Sequence, residues 1–299
     1  AGAHCLWSAS LPKRVSAIAF TPGSEYVFVG DRWGEVHCVS VAHPKPIKEE
    51  DKGGASEPLQ EEGKKGGPAK AKRVETTRVL GHFASIVTSL SVSPCGRYLC
   101  SADRDGKVRV SVVPQNDKDD GAAKEAEGAG WLDRVGLHEV QAYCVGHQSW
   151  VSATLFLRPD LVVSASGEGE CCVRAWNPLR STEAPGTDNA VGGAVVVDKD
   201  SSVVALAHAL PVNAAEDDAG LVLALTESRR VALIRCSAQG ELTLVRLLAL
   251  EGEEGMGDSY LPVSMAVGPG QVLWVAGCRK APIETAETAE TAETAETAE

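Results

Sequence analysis

Two segments of the chain repeat the same order of turn residues and short apolar runs, and this repetition constrains the fold more than any other feature. The first copy runs from Gly81 to Ser111 and the second from Gly146 to Trp176, each opening on a Gly-His pair. The pairs lie 65 positions apart, and about 24 of those, from Pro114 to His138, have the composition of an inserted loop. Without the loop the period is roughly 40 residues, which is typical of a repeat fold.

The pattern inside the first copy predicts short antiparallel strands. Val87 to Val92 alternates as a strand, a Ser-Pro-Cys-Gly turn follows, Tyr98 to Ala102 is a second strand, and Asp105-Gly106 turns the chain into Val108 to Val110. Strands of this length at this period are typical of WD repeats. The sequence therefore predicts an all-β fold, a WD-repeat β-propeller, with each copy as one blade.

Polar residues at fixed offsets predict a buried hydrogen-bonded chain within these blades. His82, Ser101 and Asp105 are expected to satisfy one another in the first copy, with Ser111 where a Trp is usual. His147 and Trp176 hold the corresponding places in the second. We interpret these residues as structural rather than as catalytic or metal-binding.

Further strands extend the propeller on both sides of the two copies. An earlier blade is predicted from Val15 to Phe20, Tyr26 to Gly30 and Val36 to Val41. A later blade is predicted to contain four strands, Ala194 to Val197, Ser202 to Leu206, Leu221 to Thr226 and Val231 to Cys236. Leu242 to Leu248 is predicted to begin another, continued by Val263 to Val267 and Val272 to Gly277.

Low-complexity segments interrupt and follow this pattern. Residues 43–76 and 114–138 are predicted to be disordered inserts between blades, the second anchored by Trp131-Leu132, in a propeller that extends over residues 1–282. Residues 283–299 form an acidic repeat tail. The basic stretch from Lys64 to Arg73 is either a nuclear import signal, a phosphate contact or a solvated linker.

Charge and cysteine content narrow the function classes. The formal net charge is −12, and the six Glu of the tail supply half of it. A protein whose main role is to bind phosphates is usually basic, so we expect little direct RNA affinity.

Nine cysteines without a CxxC pair indicate reduced thiols. The sequence shows neither a signal peptide nor an apolar run of 18 residues, so we expect a soluble intracellular protein without a membrane partner.

The amino-acid sequence of the first copy is more specific than that of a generic WD repeat. The run Ala102 to Ser111, preceded by Leu80-Gly81-His82 and followed by Cys144 to His147 and Leu161 to Ser164, resembles the non-catalytic WD-repeat subunit of the eukaryotic tRNA (guanine-N7-)-methyltransferase. The resemblance extends from about Arg14 to Trp176 and more weakly to Trp274. It departs at Gly167 to Arg174, where the hairpin is two residues longer and Glu170 stands in place of an Asp.

The resemblance implies an accessory protein rather than an enzyme. The family is seven-bladed, so this chain is expected to lack about the first blade. The partner would be the S-adenosylmethionine-dependent catalytic subunit. The two chains would form a heterodimer in which this chain contacts tRNA only indirectly. The expected location is the nucleus, or both the nucleus and the cytoplasm. No cofactor is expected here: Leu247 to Gly257 superficially imitates a cofactor loop, but a strand follows it directly, which predicts a hairpin loop.

Three basic residues are candidates for partner binding. The resemblance places Arg174 where the family has a basic residue that pairs with an acidic side chain of the catalytic subunit, and Lys107 and Arg109 lie at the analogous place in the preceding blade. The alternative is that these are solvated strand charges. At the level of the whole protein, two other classes stay open, a generic WD-repeat adaptor such as a ubiquitin-ligase substrate receptor, and a propeller enzyme.

Overall fold

The computed structural model describes residues 7–41, 72–114, 137, 139–180, 189–199, 201–209, 218–250, 260–268 and 272–279. Every element whose bounds it gives is a β-strand, numbered β1 to β20 in chain order. Among the described residues, no helix has the length and apolar content needed to cross a membrane.

The strands form four complete antiparallel sheets and two shorter pairs. A parallel pair consists of β1 (Trp7–Ala9) and β5 (Lys72–Val74). The first sheet contains β2 (Val15–Phe20), β3 (Tyr26–Asp31), β4 (Glu35–Ser40) and β6 (Thr77–Gly81). The second contains β7 (Val87–Val92), β8 (Tyr98–Asp103), β9 (Val108–Val112) and β10 (Val140–Cys144). The third contains β11 (Val151–Arg158), β12 (Leu161–Ser166), β13 (Cys172–Trp176) and β14 (Ala190–Val196). The fourth contains β15 (Val203–Ala209), β16 (Asp218–Thr226), β17 (Arg230–Ser237) and β18 (Leu242–Ala249), and the fifth pairs β19 (Tyr260–Val267) with β20 (Leu273–Arg279).

Neighbouring sheets contact one another through their first strands. Strand β2 packs against β7, β7 against β11, β11 against β15, and β15 against β19. Sheets arranged in this order, each with its strands running outward from the first, form the radial architecture of a propeller. The predicted all-β propeller fold is therefore confirmed, while the number of blades stays a prediction.

The core lies in layers between successive sheets. One apolar cluster joins Phe28 and Val36 of the first sheet to Val87 and Leu99 of the second. Equivalent clusters lie between the second and third, third and fourth, and fourth and fifth sheets. Because sheets on both sides cover β12, all six of its residues are buried. Continuous burial of this kind explains why apolar residues of the second strands lie on both faces.

The sequence repeat is offset from the sheet by one strand along the chain. We predicted that Ala194 to Val197 opens the fourth sheet and that Leu242 to Leu248 opens the fifth, and both assignments are wrong. Strand β14 pairs with β13 and closes the third sheet, and β18 pairs with β17 and closes the fourth. Similarly, Gly81 ends β6 in the first sheet. Hydrogen bonding to the preceding strand decides membership, and periodicity in the sequence does not show that pairing.

Both predicted inserts end in ordered residues. Most of 43–76 lies outside the described residues, but Lys72–Val74 forms β5, and Val74 is buried in the cluster of the first sheet. In the second insert, Leu137 is buried between the first two sheets, and its N–H donates to the Val79 carbonyl at 2.7 Å. An apolar residue in each insert thus joins the core. Trp131-Leu132 and the tail 283–299 lie outside the described residues.

The glycine-rich segment before β19, predicted as a hairpin loop, lies between strands of two different sheets. Residues 251–259 lie outside the described residues, but β18 before them belongs to the fourth sheet and β19 after them to the fifth. The segment therefore connects neighbouring sheets.

A glycine turn of the first sheet lies against the segment that enters the second. Gly34 has φ 89°, and a Cβ there would lie 2.5 Å from the Ser85 carbonyl oxygen and 2.7 Å from that of His82. The His82 N–H also donates to the Gly34 carbonyl at 2.7 Å. The two backbones therefore approach as closely as a glycine permits.

Gly34→Ala is expected to lower the free energy of unfolding by about 2 to 4 kcal/mol, since it adds both left-handed strain and a clash with backbone. Gly169→Ala is the matched control: φ is 91° there, but nothing lies within 4 Å of the added Cβ. Its cost should be about 1 to 2 kcal/mol. Urea unfolding of the variants measures the difference, and equal costs would contradict the close contact.

Candidate functional site

The buried histidine of the second sheet holds a carboxylate and a hydroxyl. His82 Nδ1 donates to Asp103 Oδ2 at 2.9 Å, and its Nε2 lies 2.8 Å from Ser101 Oγ. Asp103 Oδ1 accepts the backbone N–H groups of Asp105 and Lys107, both at 3.0 Å. Burial opposes ionisation of Asp103, but the hydrogen bonds from His82 and the turn lower its pKa below the ordinary value. The arrangement fixes the turn after β8.

The prediction that Asp105 is the acid of this network is wrong. Its side chain is half exposed and lies 3.7 Å from Lys107 Nζ, whereas the Asp103 side chain is only 1% exposed. The repeated turn sequence contains the signal that identifies the right residue. The first sheet has Asp31-Arg32-Trp33-Gly34 where the second has Asp103-Arg104-Asp105-Gly106, so the shared acid is the first residue of the motif.

In the third sheet the network is longer. His147 Nδ1 donates to Glu170 Oε2 at 3.1 Å, and Nε2 lies 2.7 Å from Ser164 Oγ, which also accepts the Trp176 indole N–H at 2.7 Å. Burial lowers the pKa of His147 despite the neighbouring Glu170. A neutral His147 that donates through Nδ1 must accept at Nε2, so Ser164 donates its hydroxyl proton there. The histidine is therefore held on both sides within the protein.

Glu170 is the centre of this network. Its Oε1 accepts from the Cys172 thiol at 3.0 Å and from Arg174 Nε and Nη2 at 3.2 and 3.1 Å, and its Oε2 accepts the Gln148 N–H at 2.9 Å. Burial opposes its ionisation, but the hydrogen bonds from Cys172, Gln148 and His147 lower the pKa of Glu170 to about 2. Burial together with Glu170 raises the pKa of Cys172 to about 12. Cys172 is thus a protonated thiol in the metal-free protein at neutral pH, which makes it a poor nucleophile.

The longer hairpin explains why an acid from another position serves here. Ser166 occupies the place of Asp103 at the end of the second strand, and its hydroxyl accepts the Cys172 N–H at 3.1 Å. A serine is too short to reach the histidine as well. Two additional residues in the turn bring Glu170 back over His147 instead. The sequence showed the longer hairpin and the position of Glu170, but not its contacts.

The three predicted partner-binding residues differ in their contacts and exposure. Arg174 is bound to Glu170 of its own hairpin, with 26% of its side chain exposed. Arg109 donates to Ser111 Oγ at 3.0 Å and to the Leu137 carbonyl at 3.1 Å, and burial lowers its pKa. Lys107 is exposed and near Asp105. None of these contacts decides partner binding, which stays a prediction for all three.

These residues lie around the outer strand of the second sheet. Arg109 pairs across from Tyr143 of β10, and Lys107 and Val145 each lie one residue beyond the last pair of the two strands, Val108 with Cys144. Two residues beyond the end of β10, a Cβ at Gly146 would lie 3.8 Å from Arg174 Nη1. Tyr143 is 54% exposed and Val145 is 70% exposed. We call Lys107, Arg109, Tyr143, Val145 and Arg174 the β10 edge; it combines apolar and basic side chains.

Two groups of side chains could hold a metal ion among the described residues. One is His147, Glu170 and Cys172, whose hydrogen bonds to one another are described above. The other is Asp31, Glu35 and His37 in the first sheet, which sequence reasoning missed. The Asp-Arg-X-Gly motif at Asp31 followed by a strand histidine was the available signal.

Comparison with known proteins agrees with this architecture. A family model described as WD domain, G-beta repeat matches residues 74–110, from the end of β5 to β9. The match confirms the predicted WD repeat, and it straddles two sheets as the strand pairing does.

The similar proteins have the same name in different organisms. The chain is 28% identical to the tRNA (guanine-N(7)-)-methyltransferase non-catalytic subunit of Dictyostelium discoideum over 55% of this chain and 28% of that protein. It is 28% identical to the subunit of the same description from Bos taurus, over 61% of this chain and 34% of that one. For the Phaeosphaeria nodorum subunit the identity is 27%, over 58% and 40%. The predicted resemblance is confirmed. The chain spans about a third of the length of these relatives.

Asp103→Ala is expected to lower the free energy of unfolding by about 2 to 4 kcal/mol, because His82 and two backbone N–H groups lose their acceptor in a buried place. Asp105→Ala, two residues away in the same turn, should change it by less than about 0.5 kcal/mol because its side chain is exposed. Denaturant unfolding compares the two. A larger cost at Asp105 would restore the acid predicted from the sequence.

Acid should weaken the third sheet through Glu170. Its folded pKa of about 2 lies below the ordinary 4.5, so its contribution is complete above pH 4.5 and is lost as the pH falls towards 2. The expected loss is about 2 to 3 kcal/mol. Glu170→Gln should lower stability at pH 7 and flatten the curve between pH 4.5 and 2, as followed by unfolding monitored by Trp fluorescence. An unchanged slope would contradict the ionised buried Glu170.

Proposed function

We propose that this chain is a non-catalytic subunit that holds and stabilises the S-adenosylmethionine-dependent catalytic subunit of a tRNA (guanine-N7-)-methyltransferase. The observation that carries the proposal is the shared description of its relatives, which are similar to it over more than half of this chain. The WD repeat supports it because propellers of this class usually present surfaces to other proteins.

The chemistry of the proposed complex belongs to the partner. Guanine N7 has a free lone pair, so it attacks the methyl group of the cofactor without prior deprotonation. The contribution of this chain is preorganisation: a rigid surface that keeps the partner's segments where tRNA and cofactor meet. The layered core and the buried networks of His82 and His147 give the propeller that rigidity.

The β10 edge is the surface that we propose for docking. Tyr143 on the outer strand and Val145 just after it offer exposed apolar area, and Arg174 and Lys107 offer positive charge nearby. An apolar centre with flanking basic groups fits a partner surface that contains acidic side chains. Contact with tRNA through the partner, and a nuclear location supported by the basic residues 64–73, are parts of the same proposal.

The test of the function is reconstitution. The chain alone should transfer no methyl group, and addition of a cognate catalytic subunit should yield N7-methylguanosine in tRNA, measured by nucleoside mass spectrometry. Methyl transfer by the highly purified chain alone would overturn the accessory role. Failure of a folded chain to bind or stimulate any cognate catalytic subunit, together with capture of ubiquitin-ligase components, would favour the adaptor class instead.

The test of the surface is a pair of matched double variants. Tyr143→Ala with Val145→Ser should weaken association with the catalytic subunit more than tenfold, because interface centres depend on buried aromatic and aliphatic side chains. Leu244→Ala with Val245→Ser changes exposed apolar residues of β18, the outer strand of the fourth sheet, and should leave affinity unchanged. Calorimetric titration gives both affinities. Charge reversal at Arg174 is a poorer test, since it would also place a second carboxylate against Glu170.

A further inference from the structure

Three polar side chains of the first sheet meet in a buried place. Asp31 ends β3, Glu35 begins β4, and His37 lies two residues further along β4. His37 Nε2 lies 3.6 Å from Glu35 Oε2 and 3.9 Å from Asp31 Oδ2, and the three atoms lie within 4.8 Å of one another. The side chains of Asp31 and His37 are 0% and 6% exposed.

Their hydrogen bonding is incomplete. Within the described part of the chain, Asp31 Oδ2 and both ring nitrogens of His37 are buried without a hydrogen-bond partner. Buried polar atoms are almost always paired, and an unpaired carboxylate oxygen is among the costliest exceptions. The distances from His37 are too long for hydrogen bonds and suit atoms that share a ligand between them.

The second sheet shows what is missing in the first. Asp31 Oδ1 accepts the N–H groups of Trp33 and Glu35 at 2.8 and 3.0 Å, as Asp103 Oδ1 does in its own turn. The other oxygen of Asp103 is satisfied by His82, five residues before β7. Five residues before β2 the chain has Ser10, which is exposed. The histidine that satisfies this acid elsewhere is therefore replaced.

The cation of the neighbouring sheets is replaced as well. The strand pairing puts His37 at the position that Arg109 occupies in β9 and Arg174 in β13. In the third sheet that arginine binds Glu170 and neutralises it. The first sheet has two carboxylates and an imidazole at this point, and the imidazole has no permanent charge.

We propose that Asp31 Oδ2, Glu35 Oε2 and His37 Nε2 bind a divalent transition-metal cation, with Zn²⁺ as the best fit. Zn²⁺ accepts imidazole nitrogen and carboxylate oxygen at about 2.0 to 2.2 Å, and tetrahedral ligand atoms then lie roughly 3.3 Å apart. The two contacts of His37, at 3.6 and 3.9 Å, would shorten on binding. Asp31 Oδ2 and Glu35 Oε2, which lie within 4.8 Å of each other, would approach as well. Mg²⁺ and Ca²⁺ prefer oxygen ligands alone. The fourth position would be taken by water.

The surroundings orient the ligands. Arg78 Nη1 binds the other oxygen of Glu35 at 2.6 Å and so directs Oε2 inwards. The two turn N–H groups fix Asp31 in the same way. Hydrogen bonds of this kind to ligating carboxylates are typical of metal sites. The bound ion would tie β3 to β4 at the turn that contacts the second sheet, which assigns it a structural role.

The test uses the full chain with Cys95→Ser and Cys278→Ser, which remove two exposed thiols that would bind zinc. Titration with Zn²⁺ should show one site and a rise in melting temperature. Co²⁺ in place of Zn²⁺ should give d–d absorption without a thiolate charge-transfer band. Such a band would place the ion on cysteine, for example Cys172, and would overturn the proposal.

Variants then locate the site. Glu35→Gln and His37→Gln should each weaken Zn²⁺ binding at least tenfold, whereas Arg78→Gln, which removes the ion pair but no ligand, should weaken it less. Should His37→Gln fail to fold, Glu35→Gln decides, because Glu35 is partly exposed. Unchanged Zn²⁺ binding in Glu35→Gln would overturn the site. So would a protein that binds no Zn²⁺ and whose His37 is found protonated at neutral pH by nuclear magnetic resonance.

Discussion

A buried acceptor at the turn between the second and third strands is the constraint on which the four complete sheets depend. The residues at the tip of each turn are exposed, but the acceptor at its base is buried, so the N–H groups that point back to it depend on that side chain. Asp103 supplies it in the second sheet, and Thr226 supplies it in the fourth, where its hydroxyl accepts the Arg230 N–H at 3.2 Å. The third sheet uses Ser166 for the turn and Glu170 for the histidine. One backbone requirement is thus met by three different side chains.

Each turn also touches the segment that enters the next sheet, so the sheets do not order independently. Gly106 lies against the Ser149 carbonyl as Gly34 lies against that of Ser85. The first strands add hydroxyl contacts: Ser89 Oγ lies 3.0 Å from Thr154 Oγ1, and Ser91 Oγ accepts the Phe156 N–H at 3.0 Å. A sheet therefore completes the hydrogen bonding of its neighbour, which makes unfolding cooperative across the interface.

The fold class and most strands follow from the sequence because alternation and turn residues are local properties. The sheet to which an outer strand belongs is not local: β14 and β18 were misassigned because only pairing with the preceding strand identifies them. The site shows the same limit. His82, Ser101, His147 and Trp176 were located by their spacing, but the choice of Asp103 over Asp105 depends on which side chain the turn buries. The contact of Arg174 with Glu170 depends on a hairpin whose two additional residues have no counterpart in the other turns.

The contact between Arg174 and Glu170 changes how a basic residue can serve the proposed docking. A solvated lysine such as Lys107 loses rotamer freedom when it binds, and this loss offsets much of the charge attraction. Two N–H groups of Arg174 already donate to one oxygen of Glu170, so the remaining N–H groups of Arg174 point in a fixed direction. The planar guanidinium can bind a second carboxylate without releasing the first. Because its charge is partly neutralised within the chain, Arg174 should contribute orientation more than long-range attraction, and the apolar part of the β10 edge should supply most of the affinity.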